Sequence, residues 1–298
     1  MKTKLIFIFL LFLMFSCVSS VEVSLESENP QLVLNSILNA TQDSIVVTLS
    51  LSHSIVSVDA FRQVNDAKIE LFENQQFIAQ FDVLDSGTYV LHYRPIAGRE
   101  YEIVARAAET SLKGKTIVPH TVAFNLSKLR EERDDFMLSL KASDIYGANV
   151  WMNVLYTNWY GPDSLKKVPG NTIYSNSTFI DPFNRETDTY EQYAYYYDDY
   201  MFLSGYDDHG EVDIYFGFYG TITRSNEIIV STFDDHLTRY VKSSIIAFNV
   251  ERGKGEYPFY LDPAVVYSNV EGGIGIVGSM NSRSQEIFNQ KKFIYASN

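Results

Sequence analysis

The chain has 298 residues, a formal net charge of −13 at pH 7 and 46% hydrophobic residues. That length and apolar content allow a sizeable core in one or two domains, which excludes a disordered or fibrous chain. So acidic a surface repels nucleic acid and anionic membrane faces, and no nucleic-acid partner is expected.

At the start, Lys2 and Lys4 precede an unbroken apolar run from Leu5 to Phe15, closed by Ser16 and Cys17. A bilayer core of ~30 Å takes about 20 residues to cross, so this run is too short to span it. It fits the apolar core of a signal peptide. Cys17, the only cysteine, stands where a bacterial exported lipoprotein is cut and acylated. Met14, Phe15 and Ser16 come before it, and Phe15 departs from the small residue usual at that place. The alternatives are an ordinary secretory cut after Ser20, or retention of the run as an anchor. With Cys17 acylated no thiol is left to pair, so the fold must rest on its core alone. The expected divisions are a signal peptide at 1–16, a lipid-anchored tether at 17–29, a sandwich at 30–124 and a second domain at 125–298.

Beyond Pro30, the runs Gln31–Leu38, Ser44–Leu51, Ala67–Glu73, Gln76–Val83, Thr88–Tyr93, Glu100–Ala107 and Lys115–Val122 are predicted strands. Ile45, Val47, Leu49 and Leu51 alternate with Val46, Thr48 and Ser50, which puts one face in a core and one in water. Asn65-Asp66, Glu73-Asn74, Asp85-Ser86-Gly87, Pro95 to Gly98 and Lys113-Gly114 supply the turns. Short strands at this spacing predict an immunoglobulin-like β-sandwich without the disulfide of antibody domains.

Leu126 to Asp135 reads as a charged connector to a larger, β-rich domain dense in Tyr and Phe. Strands are predicted at Phe136–Leu140, Asn149–Thr157, Tyr193–Leu203, Val212–Tyr219, Glu227–Phe233, Ala264–Val270 and Ile274–Met280. Tyr160 to Phe183 is a long polar loop. One helix is predicted over Thr232–Phe248. Thr232 and Asp235 form its capping-box-like start, and Leu237, Tyr240, Val241, Ile245 and Phe248 form one apolar stripe.

Several constellations bear on chemistry. Gly273, Gly275 and Gly278 make a Gly-x-Gly-x-x-Gly string, but too few residues follow for the βαβ unit that a dinucleotide needs. The string reads as a strand in which backbones pack closely, and no cofactor is expected. Asp207, Asp208, Glu211 and Asp213 bunch around Gly210 as weak candidates for a cation, without the spacing of a calcium loop; a solvated hairpin tip is the blander reading. Tyr193, Tyr195 and Tyr197, followed by Asp198 and Asp199, could form a binding face for a glycan or partner, or serve as ordinary strand residues. His53, His92, His120, His209 and His236 never form a metal spacing, and no Gly-x-Ser-x-Gly elbow occurs. No catalytic residue is assigned, and a non-enzymatic role is expected.

The segment Pro263-Ala264-Val265-Val266-Tyr267-Ser268-Asn269-Val270-Glu271-Gly272-Gly273-Ile274-Gly275 resembles the closing strand of a Bacteroidetes lipoprotein family, domain of unknown function 4249. Pro30-Gln31-Leu32-Val33-Leu34-Asn35, Asp66 to Leu71, and Ala97-Gly98-Arg99-Glu100-Tyr101 resemble its earlier strands and turn. The resemblance implies an outer-membrane location and genes placed beside TonB-dependent transporters. The expected function is a lipid-anchored accessory that binds such a transporter or a nutrient delivered to it. The alternatives are a surface glycan-binding protein, a glycan hydrolase using Asp198 or Asp208, or an adhesin or structural envelope component.

Overall fold

The computed structural model describes residues 30–52, 62–132, 135–143, 147–159, 165–169, 172–175, 180–185, 196–198, 200–204, 211–219, 226–251 and 265–287. The first half carries β1 (Leu32–Asn39), β2 (Ile45–Leu51), β3 (Lys68–Glu73), β4 (Gln76–Gln80), β5 (Asp82–Asp85), β6 (Thr88–Leu91), β7 (Glu100–Ala107) and β8 (Thr110–Ile117). The second half carries β9 (Ala123–Glu132), β10 (Asp135–Ser143), β11 (Asn149–Trp159), β12 (Leu165–Pro169), β13 (Thr172–Ser175), β14 (Tyr196–Asp198), β15 (Tyr200–Ser204), β16 (Glu211–Tyr219) and β17 (Asn226–Phe233). The helix α1 (Asp235–Glu251) and β18 (Ile274–Ile287) follow, and Pro182–Arg185 forms one helical turn. The fold is mostly β, as expected.

The strands form three sheets. The order β1-β2-β6-β5 faces β4-β3-β7-β8, which is immunoglobulin connectivity with an extra strand on the second sheet. Leu34, Leu38, Ile45, Val47 and Leu49 on one side meet Ile69, Leu71, Ile103, Ala105 and Leu112 on the other. Burying each large aliphatic side chain here contributes about 1.5–3 kcal/mol, and no disulfide is needed. Tyr101 sits at the start of β7, and its hydroxyl accepts the Ile96 N–H at 2.9 Å, the tyrosine corner of such sandwiches. Two residues on, where antibody domains place a cysteine, Ile103 is fully buried.

The first sheet does not stop at β1. β18 pairs parallel with β1 and antiparallel with β17, so one nine-stranded sheet runs β12-β11-β17-β18-β1-β2-β6-β5, with β15 also on β11. The boundary expected at residue 124 therefore does not divide the hydrogen-bonded sheet. Its sandwich face continues under the five-stranded sheet β14-β13-β16-β10-β9, where Val150, Met152, Val154, Ile228 and Val230 pack with Leu140. Alternate residues of the same strands (Trp151, Phe202, Phe233) point to the opposite face and receive Leu237, Tyr240, Val241 and Ile245 of α1.

Six predicted features differ in the structure. Gln76–Val83 breaks at Phe81, whose buried ring and N–H bond to the Ile69 carbonyl (2.9 Å) turn the chain from one sheet to the other. The strand predicted from Lys115 begins at Thr110 instead: Gly114 is mid-strand, because a Cβ there would lie 2.4 Å from Val277 Cγ2. The charged connector is the strand β9, and residues 165–169 and 172–175 of the predicted loop are β12 and β13. Residues 265–270 are irregular: the Asn269 side chain donates to the Val277 carbonyl (2.8 Å) and accepts the Val277 N–H (2.9 Å), doing the work of a strand with one amide. The helix is capped by Asp234, not Thr232. Asp234 Oδ1 accepts the Leu237 N–H at 2.8 Å, while the Thr232 hydroxyl accepts the Val122 N–H at 3.3 Å.

The glycine string serves close packing. A Cβ on Gly273 would lie 2.5 Å from the Leu32 carbonyl oxygen, one on Gly275 2.0 Å from that of Leu34, and one on Gly278 2.9 Å from Leu237 Cβ. Gly275 also has φ +126, which side chains rarely adopt. Replacing Gly275 by Ala should lower stability by about 3 kcal/mol through clash and strain. Gly147, with φ +68 and open space around it, is the control: Gly147→Ala should cost only about 1 kcal/mol. Equal midpoints of the two variants in urea would show that β1 does not need this close approach.

Candidate functional site

A groove of about 730 Å³ opens at one end of the sandwich. Pro30 to Leu32 and Leu51 wall one side, Arg62 to Asp66 another, and Ala107, Ala108, Thr110, Gly272 and Gly273 close it. The volume suits a small organic ligand or a short segment of a partner. Its walls are held from behind. The Tyr89 hydroxyl donates to the Val64 carbonyl (2.8 Å) and accepts the Ala67 N–H (3.1 Å), which fixes residues 64–67. Asn65 Oδ1 accepts the Gly87 N–H, and Gln63 bridges to Ser50. At Gly272, φ is +79 and a Cβ would lie 2.2 Å from the Ser111 carbonyl oxygen, so this turn can only be glycine. Arg62 and Asp66 are exposed in the groove, and neither has an ion-pair partner among the described residues. One free cation, one free carboxylate and the Thr110 hydroxyl can bind a polar ligand; nothing there activates a nucleophile.

A second polar cluster lies at the tyrosine corner. Glu73, nearly buried, accepts hydrogen bonds from the hydroxyls of Tyr101 (2.6 Å) and Tyr93 and from Arg99 Nη1. Burial pushes its carboxyl up, but the two tyrosines and Arg99 outweigh that and hold it below the usual carboxylate range. Burial and the bond to Glu73 push the Tyr101 hydroxyl well above its ordinary value. Every partner of this carboxylate is spent on joining β3 to the corner before β7, so the cluster is a lock.

The predicted site residues fall apart. Tyr193, Tyr195, Asp199, Asp207, Asp208 and Cys17 lie outside the described residues. Tyr197 and Asp198 sit in β14, at the edge of the five-stranded sheet, paired with Tyr174 and Ile173. Glu211 and Asp213 begin β16, opposite Ser143 and Lys141. Among the described residues, no group of three or more His, Cys, Asp or Glu could hold a metal ion, and no helix is long and apolar enough to cross a membrane. The groove was missed because its walls come from five separated stretches; only the turn signal at Asn65-Asp66 hinted at it.

Residues 18–286 match the family described as Domain of unknown function (DUF4249). The chain belongs to this family. No curated protein matches it. Among solved structures it is similar to the β-glucuronidase of Parabacteroides merdae at 10% identity, over 69% of this chain and 23% of that one, with a TM-score of 0.22. It is similar also to Escherichia coli alpha-2-macroglobulin activated by porcine elastase, at 11% identity over 88% of this chain and 22% of that one, with a TM-score of 0.23. The chain thus spans less than a quarter of either, and likenesses this slight carry no statement about activity.

The Glu73 lock has a pH signature. Its folded pKa is depressed, so its contribution is present above the unfolded value of 4.5 and is lost as pH falls through the folded value. Thermal melts of Glu73→Gln and the native chain should therefore differ most near neutral pH and converge in acid. A constant gap from pH 7 to pH 3 would remove the charge from the explanation.

Proposed function

We propose that the chain is an outer-membrane lipoprotein, held by a lipid on Cys17, which serves a TonB-dependent transporter by binding the barrel or a nutrient delivered to it. The observation that carries this reading is where the groove opens. Pro30 and Gln31 wall it, and they are where the chain arrives from its Cys17 start. Residues 18–29 can span roughly 40 Å at most, so whatever the groove holds stays close to the anchored end. The resemblance that implies an outer-membrane setting and transporter neighbours is to the family whose match covers residues 18–286. The polar lining, with Arg62 and Asp66 uncommitted, suits capture and release. The rival reading, a glycan hydrolase, needs a second carboxylate beside Asp198 or Asp208 in one cleft.

Two measurements test the anchor and the groove separately. Cys17→Ala should move the protein from the membrane to the soluble fraction, since no described helix could hold it there. Continued membrane retention with the leader removed would sink the lipid anchor. Arg62→Glu combined with Asp66→Lys should leave the melting temperature nearly unchanged, because exposed substitutions usually stay within about 0.5 kcal/mol. The same pair should reduce recovery of a transporter barrel in detergent pull-downs, or of ligand in equilibrium binding. Undiminished recovery of both would place the binding face elsewhere.

A further inference from the structure

Four oxygens stand in file where β8, β18 and α1 meet. Asp234 Oδ2 lies 2.7 Å from Thr116 Oγ1, which lies 2.6 Å from Ser279 Oγ, which lies 2.9 Å from the Ile117 carbonyl oxygen. Contacts of this length are hydrogen bonds, and each needs its own proton. Thr116 and Ser279 supply one apiece and the carbonyl supplies none. With Asp234 ionised, the row is one proton short, and two oxygens face each other without a hydrogen between them. A proton on Oδ2 completes it: Asp234 donates to Thr116, Thr116 to Ser279, and Ser279 to the Ile117 carbonyl. The other carboxyl oxygen, Oδ1, is already satisfied by the N–H groups of Leu237 (2.8 Å) and Ser279 (3.1 Å).

We propose that Asp234 is a proton-binding site that locks the four-stranded sheet to the helix-bearing sheet, holding its proton in the closed junction and releasing it as pH rises. The lock crosses between the sheets through three side chains and one β8 carbonyl, that of Ile117. Thr116 belongs to β8, at the margin of the four-stranded sheet, whereas Ser279 belongs to β18 and Asp234 caps α1. The surroundings favour the neutral acid. Burial holds the carboxyl above its ordinary value of 3.8, against the bonds from Thr116, Leu237 and Ser279 and the charge of His236. His236, on α1, is the titratable neighbour that opposes protonation. Asp235 is exposed and takes a bond from Asn149 Nδ2 (2.8 Å). On β8, Lys115 is engaged with Glu100 and Glu102, and on β18 the neighbours Gly278, Met280 and Asn281 carry no charge. A raised folded pKa contributes stability that is fully present below the unfolded value and is lost as pH rises through the folded value.

Asp234→Asn tests this, because Asn reproduces the protonated acid: its amide nitrogen can donate to Thr116 while its oxygen keeps both N–H groups. Asn caps a helix about as well as Asp does. The variant should match the native chain near pH 4 and melt progressively higher than it as pH rises to 7. A variant that melts lower than the native chain at pH 7 would overturn the proposal, since an ionised cap favoured by the helix N-terminus predicts that order. A second measurement needs no variant. The carboxyl carbon resonance of Asp234 in the native chain should titrate with a midpoint above the ordinary aspartate value, and a midpoint at or below about 3.9 overturns the assignment. Neither readout depends on Cys17, so their outcome is independent of the lipoprotein reading.

Discussion

Seven rungs, from Val33–Ile274 to Asn39–Met280, hold the first described strand against the last. They make the parallel pair at the middle of a sheet whose other pairs are antiparallel. Parallel pairing is slightly weaker per residue, and a parallel partner must return by a long crossover. Here the crossover is most of the molecule. The pair survives because everything around it removes obstacles: Gly273, Gly275 and Gly278 let β1 and α1 come within contact, Gly114 makes room for Val277, and Asn35 Oδ1 adds a bond to the Ile276 N–H (3.2 Å). Both small sheets lie on one face of the strands so joined, and α1 lies on the other. Remove the pair and the two cores lose their common backing.

The junction around that pair is polar where a simple sandwich would be apolar. Thr116, Asp234 and Ser279 meet beside it, and Asn281 Nδ2 donates to the Pro119 carbonyl at 3.0 Å. Buried polar groups add little net stability but penalise every arrangement that leaves them unpaired. They therefore fix how the four-stranded sheet sits against β18 more sharply than aliphatic contacts would. The far end of the sheet shows the opposite problem, a strand paired on one side only. β5 is short and fully exposed, and Leu84 bulges out of register so that Asp82 and Asp85 fall on the same side, opposite Val90 and Thr88. Brevity, charge and a bulge discourage another chain from pairing there.

How much was legible follows from which forces were local. The alternation of Ile45, Val47 and Leu49, and the stripe of Leu237, Tyr240, Val241 and Ile245, are local patterns, and the structure has them. Gly114 looked like a turn because its reason, Val277, lies far along the chain. Thr232 looked like a cap because Asp235 stands three residues after it, and only the fold shows that Asp234 is the side chain that reaches the Leu237 N–H. The continuity of the sheet through β1 and β18 left no local trace beyond glycine spacing, which hinted at close packing without naming the partner. The groove is least legible of all, since Arg62, Thr110 and Gly272 become neighbours only after both sheets close.

Asn35 and Ile276, hydrogen-bonded neighbours, stand 241 residues apart. At the roughly 5–20 residues added per second during synthesis, the chain between them takes on the order of 10–50 s to make. Throughout that interval β1 presents an open edge, with Leu34 and Leu38 on one side of it, to whatever strand comes by. Contacts so distant in sequence are also slow to form once both strands exist. The protein is therefore a poor candidate for piecemeal folding as it emerges. Held unfolded by chaperones until β18 is available, it could close the whole sheet in one step; released earlier, the same edge would invite pairing between nascent chains.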